Sequence, residues 1–168
     1  MPTTLIKNAD WVIAWDETAQ RQVYRRGIDL AFTGDRISFL GKNFAGHADH
    51  VIDGAGLMVM PGLIDIHSHP HHEPLYRGIR EEHGVANMHM TGLYERGQAF
   101  SAPDDEARAA GAEFAYCELL LSGVTALVDI SAPWDGWIEL FARSGLRGFL
   151  APGYASARWY LENDHEIA

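Results

Sequence analysis

Apolar and polar positions change in short steps over roughly residues 3–60. Leu5-Ile6 and Trp11-Val12-Ile13-Ala14-Trp15 form an apolar run that Asp16-Glu17 ends. Ile28-Asp29-Leu30-Ala31-Phe32 alternates, as a half-buried strand does. Thr33-Gly34-Asp35-Arg36 is a turn signal, after which Ile37-Ser38-Phe39-Leu40 resumes the strand pattern and Gly41 stops it. Val51-Ile52-Asp53 is another short apolar piece, closed by Gly54-Ala55-Gly56. Short strands with closely spaced turns predict a small antiparallel sheet.

The pattern changes at Leu57. Leu57 to Ile66 is nearly continuous apolar sequence, broken by Pro61-Gly62. A strand apolar on both faces is what a covered parallel sheet requires. His67 to Phe100 follows with weak periodicity and much His, Glu, Arg and Gly, the character of a functional loop. Ser101-Ala102-Pro103-Asp104 then offers an N-cap serine, an early proline and first-turn carboxylates. Ala107, Ala110, Phe114, Cys117 and Leu121 recur at helical spacing and predict the buried face of that helix, with Gly123 at its C-terminal stop. Val124 to Ile130 reads as a buried strand, about Trp134 to Ser144 as a second helix ended by Gly145, and Gly148 to Ala151 as a further strand. Trp134 and Trp137 read as packing residues, and Cys117 as core.

Strand, long loop, helix, strand, helix, strand is the alternation of a parallel α/β sheet. An eight-stranded barrel takes about 250 residues, so the stretch after the first sheet accounts for roughly three strand–helix units. The expected division is 1–60 for the first sheet and 61–168 for the α/β part.

Composition narrows the functional classes. The chain has 168 residues, 47% of them hydrophobic and 21% charged, a globular balance. Lys and Arg total 13 against 23 Asp and Glu, a formal net charge of -10. Phosphate binding needs a basic face, so a nucleic-acid partner is not expected. Cys117 is the only cysteine, so no intrachain disulfide exists. No signal peptide and no membrane-spanning run is evident, and the expected location is cytoplasmic.

The chemistry concentrates in Asp65-Ile66-His67-Ser68-His69. Histidines at i and i+2 at the carboxyl end of a strand point the same way. Both imidazoles then reach one cation, and neutral imidazole suits Zn, Fe, Ni or Mn. The carboxyl ends of parallel barrel strands are where active sites sit. An isolated His-x-His is a weak signal; one that follows a buried apolar strand is a metal site. His67 and His69 are therefore the candidate metal ligands.

Pro61-Gly62-Leu63-Ile64-Asp65-Ile66-His67-Ser68-His69 resembles the signature of the amidohydrolase superfamily. Gly34-Asp35-Arg36-Ile37, Gly41 and Val51 to Gly56 resemble the small β-sandwich that begins many members. Pro74-Leu75-Tyr76-Arg77-Gly78, Glu118 to Thr125 and Ser144 to Gly148 resemble the deaminase and chlorohydrolase branch, whose members act on triazines, guanine and adenosine-type substrates. The resemblance covers nearly the whole chain. It implies a TIM-type (β/α) barrel preceded by an N-terminal β-sandwich, of which this chain supplies the first part. It also implies a divalent metal, zinc foremost with iron or manganese as alternatives, which activates water against a carbon bonded to nitrogen or halogen. The family's remaining ligands and its catalytic acid/base come from later strands and are expected beyond Ala168. Completion by the rest of the chain, or a homo-oligomer, is then expected.

Other residues are weaker candidates. His71, His72 and Glu73 follow the motif and either line a substrate pocket or are solvated. Arg77 either fixes an anionic or carbonyl group of substrate or pairs with Glu81 or Glu82. His72 and Arg77 are the substrate-binding candidates. Asp129, near the end of the second barrel strand, either faces the site or caps a turn. His83 and His89, and Tyr154, Arg158, Trp159 and Tyr160, have no placement that the sequence argues. The expected function is hydrolysis of a C–N bond in a small molecule, by deamination of a nitrogen heterocycle or amide cleavage. The rivals are a hydrolase that opens hydantoin-, dihydropyrimidine- or imidazolone-like rings, and a catalytically silent fragment or metal-binding module.

Overall fold

The computed structural model describes residues 1–77, 104–153, 161–162 and 166–167. It divides into two compact units, Met1–Pro61 and Gly62–Ala168.

The first unit holds two sheets. β1 (Thr3–Ala9), β4 (Ile28–Thr33), β5 (Arg36–Gly41) and β6 (His50–Asp53) form one, ordered β5-β4-β1-β6. β2 (Trp11–Asp16), β3 (Arg21–Arg25) and β7 (Met58–Val59) form the other, ordered β3-β2-β7. Each sheet is mixed: β1 runs parallel to β6 and β2 parallel to β7. The expected single antiparallel sheet is therefore replaced by two, because the run from Leu5 to Trp15 breaks near Ala9. Asn8 there has a φ of 55° and the β1–β4 register shifts between Ile6 and Ala9. The bulge frees the Asn8 N–H from the ladder, and Asp29 Oδ1 accepts it at 2.8 Å. Asp29 Oδ2 accepts the Phe44 N–H at 2.9 Å. β4 is buried at four successive positions, Ile28 to Ala31, so its pattern of alternation does not describe its environment. Ala9, Val12, Ala14, Ile28 and Leu30 make the core of this unit.

The second unit is an α/β layer. β8 (Leu63–Ser68), β9 (Val124–Ser131) and β10 (Arg147–Pro152) form a parallel sheet ordered β10-β9-β8, with α1 (Asp105–Leu121) and α2 (Trp137–Ser144) as the connections. The parallel order follows from the strand–helix–strand alternation. The apolar run from Leu57 divides between the units: Met58–Val59 joins β2, and Leu63 onward enters the parallel sheet. A short antiparallel pair, β11 (Leu161–Glu162) with β12 (Glu166–Ile167), follows. No helix among the described residues is long and apolar enough to cross a membrane.

The N-cap of α1 is Asp104, whose side chain accepts the Ala107 N–H at 2.8 Å. Ser101 to Pro103 lie outside the described residues. The expected buried face of α1 is corrected. Phe114 is 51% and Leu121 88% exposed, and Cys117 is exposed; Gly111, Ala112, Ala115 and Tyr116 are the buried positions. Small residues let the helix approach the sheet closely, and Tyr116 is drawn inward by a polar partner. Its hydroxyl donates to Asp129 Oδ2 at 2.5 Å, and the Trp137 indole N–H donates to the same oxygen at 2.9 Å. The Ser131 hydroxyl donates to Asp129 Oδ1. Asp129 is fully buried. It is neither a site residue facing the cleft nor a turn cap: it ties β9 to both helices beside Ala112, Leu127, Leu140 and Leu146. Burial and the Asp129 contact push the Tyr116 hydroxyl well above its ordinary range, so it stays a neutral donor. At Gly148 the backbone has a φ of 154°, and a Cβ would stand 1.9 Å from the Leu127 carbonyl oxygen, so only glycine allows β10 to lie this close to β9.

Candidate metal centre

The site is built at the carboxyl end of β8. Asp65 Oδ1 accepts the His67 N–H at 3.0 Å. That local bond takes the His67 donor out of the ladder. The register records the result: Asp65 aligns with Leu127 but Ser68 with Asp129, three steps on β8 against two on β9. This bulge sets the direction of the residues that follow. Beyond it the chain winds into a turn in which the His69 carbonyl accepts both the His72 N–H at 3.2 Å and the Glu73 N–H at 3.0 Å. A 3-10 helix, Glu73–Tyr76, completes the segment.

The imidazoles of His67 and His69 converge. Their Nε2 atoms are 3.1 Å apart, and the rings meet edge to face. His69 Nδ1 lies 2.6 Å from the Ile130 carbonyl oxygen. A carbonyl oxygen only accepts, so Nδ1 carries the hydrogen and Nε2 of the neutral ring presents its lone pair toward His67. A backbone carbonyl on the far nitrogen is the usual arrangement around a metal-ligating histidine. The separation also fits a shared cation. With metal–nitrogen bonds of ~2.0–2.1 Å, two ligands on one centre stand about 2.9 Å apart in octahedral and about 3.4 Å in tetrahedral geometry. The observed 3.1 Å lies between these. Among the described residues no group of three or more His, Cys, Asp or Glu is arranged to hold a metal, so the pair alone does not make a complete ligand set.

Two further histidines join the pair. The His72 ring stacks on His69 at 5.2 Å between centroids and an interplanar angle of 16°. His72 Nδ1 is 2.8 Å from His71 Nε2. His71 is buried, and its Nδ1 has no hydrogen-bond partner among the described residues. Burial, with the neighbouring His72 and His69, pushes His71 down to about 4; burial lowers His72 as well, against the raising effect of Glu73. Both rings are therefore neutral at physiological pH.

Arg77 occupies the rim. Its Nε and Nη2 donate to the two oxygens of Glu73 at 3.1 and 2.9 Å, and its Nη1 donates to Glu118 Oε1 at 2.7 Å. The two carboxylates raise the Arg77 guanidinium and Arg77 lowers Glu118, so Arg77 and Glu118 both stay charged. The guanidinium carbon also lies 5.6 Å from the centre of the Phe114 ring. A cleft of about 650 Å³ brings together His67, His69, His72, Arg77, Asp65 and Glu118. Each of the four sequence candidates thus borders one space. Asp65, Glu118 and the Ile130 carbonyl are the members that the sequence did not single out. Asp65 carried a readable signal, a carboxylate two residues before a motif histidine. Glu118 and Ile130 carried none, because their roles depend on packing across the sheet. Glu81, Glu82, His83 and His89, and Tyr154, Arg158, Trp159 and Tyr160, lie outside the described residues.

No family model matches the chain. Relatives and solved structures do. The chain is 28% identical over 127 residues to the 5-methylthioadenosine/S-adenosylhomocysteine deaminase of Thermococcus onnurineus, covering 74% of this chain and 28% of that protein. It is 30% identical over 153 residues to the 5'-deoxyadenosine deaminase of Methanosarcina acetivorans, covering 91% of this chain and 34% of that protein. Its fold matches the atrazine chlorohydrolase of Arthrobacter aurescens TC1, solved with zinc, at a TM-score of 0.70 and 25% identity over 86% of this chain and 34% of that one. Relatives in sequence and in fold thus agree on the class, and they support the amidohydrolase superfamily for this chain. Within it, relatives of these kinds support the deaminase branch. The chain spans about a third of the length of the proteins it matches, 28% and 34% for the two deaminases.

Proposed function

We propose that the protein to which this chain contributes is a metal-dependent hydrolase of non-peptide C–N bonds, a deaminase of a nitrogen heterocycle in a small molecule. The observation that carries the reading is the His67–His69 pair, with its Nε2 atoms 3.1 Å apart and His69 Nδ1 committed to the Ile130 carbonyl. His67 and His69 hold the metal, and zinc is the expected ion, as in the structural relative solved with it. A bound divalent cation lowers the pKa of its water and polarises the carbon under attack. The chain's own residues prepare the place: Asp65 directs the bulge, the Ile130 carbonyl fixes the His69 tautomer, and neutral His72 walls the cleft with buried His71 behind it. Further ligands, a general acid/base and substrate contacts come from elsewhere in the protein, and a soluble, cytoplasmic location fits this reading.

The parallel sheet is read as the opening of a (β/α) barrel, and residues 1–60 as a β-sandwich segment preceding it. Parallel sheets are covered on both faces. Ile64, Ile66 and Phe149 are 69%, 77% and 75% exposed here, an apolar surface that a barrel interior buries.

Metal content and heterocycle deamination, followed by ammonia release, test the function in the full-length protein. His67→Ala and His69→Ala should each lose the metal and abolish turnover. Metal content and turnover that survive both substitutions would refute the assignment.

A further inference from the structure

Arg77 stands in the cleft wall where a substrate-binding cation would stand, but its guanidinium is engaged. Nε and Nη2 are taken by Glu73, Nη1 by Glu118 on α1, and the Phe114 ring lies beside it. Glu73 immediately follows His72, and its backbone N–H is bound to the His69 carbonyl. The turn from His69 to Arg77 is thus tied to α1 through one guanidinium, and the ring that this turn carries, His72, stacks on His69. His69 is held on one nitrogen by Ile130 and against one face by His72. Among the described lining residues, Asp65, Glu73 and Glu118 outnumber Arg77, so the rim offers no spare positive charge to an anion.

We infer that Arg77 is a positioning residue: with Glu118 it forms a strut from α1 that holds the His69–Arg77 turn, keeps His72 stacked on His69, and so preserves the geometry with which His69 binds the metal. The inference rests on the metal-site reading. A planar fork can satisfy two carboxylates at once, which explains an arginine here where a lysine point charge would not serve. Outer contacts of this kind tune metal affinity by about ten- to hundredfold, and a strut one residue removed from the ligand should act at the lower end.

The test uses zinc alone as probe, on the full-length protein, with affinity measured by competition against a chromophoric chelator. Arg77→Gln and Glu118→Gln should each weaken zinc binding about tenfold, and the double variant should be no weaker than the poorer single one, since both remove the same strut. Unfolding midpoints measured alongside separate a loss of fold from a loss of geometry. Histidine ring resonances of the zinc-free protein give a second readout: Glu118→Gln, which leaves the arginine in place, should shift the His72 and His69 signals. A wild-type protein that takes up no zinc overturns the metal-site reading, while the ring signals still decide the strut. Zinc affinity and ring signals unchanged in both single variants, or additive losses in the double variant, overturn the strut itself.

Discussion

Replacing Asp129 tests the packing logic of the second unit most directly. The carboxylate is fully buried and receives the Tyr116 hydroxyl, the Trp137 indole N–H and the Ser131 hydroxyl. Asp129→Ala leaves all three donors without their acceptor. A buried unsatisfied group costs ~1–3 kcal/mol, and costs within one network do not add, so the loss should be about 3–5 kcal/mol. Asp129→Asn separates shape from charge. Turned so that its oxygen replaces Oδ2, the amide still accepts from Tyr116 and Trp137, and its NH2 donates to the Ser131 hydroxyl, which can also accept. Only the charge assistance is lost, about 1–2 kcal/mol. Equilibrium urea unfolding followed through the Trp137 indole resonance reports the unit in which Asp129 lies. An alanine variant within about 1 kcal/mol of wild type, or an asparagine variant as damaging as alanine, would refute the argument.

Two further outcomes concern stability. In the first unit, the Phe44 N–H, and after it the Asn8 N–H, hold the Asp29 carboxyl below its ordinary 3.8 in spite of its burial. A depressed folded value means that the stabilisation is complete above about 3.8 and is lost as pH falls through the folded pKa. Acid unfolding of wild type should therefore show a limb below pH 3.8 that Asp29→Asn flattens, and superimposable limbs would count against the linkage. At the start of α1, Asp104→Ala removes the cap on the Ala107 N–H and should cost ~1 kcal/mol in thermal or urea unfolding, with Asp104→Ser recovering most of it.

Much of the architecture was legible in the order of residues. The strand–helix–strand alternation after Pro61 pointed to a parallel sheet, because a connecting helix carries the chain back to the end at which the previous strand began. Gly145 at the end of α2 marked itself through backbone freedom, and the apolar run of β9 through burial. His67 and His69 were evident as a pair, since alternate residues of a strand share a side. What the sequence could not decide was which competing local choice would win. The apolar stripe Phe114, Cys117 and Leu121 lost to Ala112, Ala115 and Tyr116, because close approach to the sheet and a buried carboxylate outweighed side-chain hydrophobicity. Arg77 had a proposed partner in Glu81 or Glu82, which lie outside the described residues; among the described ones the fold pairs it with Glu73 and with Glu118, 41 residues away, a contact that no local pattern shows. The same holds at the candidate metal centre. Chain order placed two imidazoles at one strand end, but only the tertiary structure brought the Ile130 carbonyl, 61 residues on, to His69 Nδ1. Sequence periodicity fixes which side of an element a residue occupies; hydrogen-bond partners and ring orientation depend on which other elements pack there, and no local pattern carries that information.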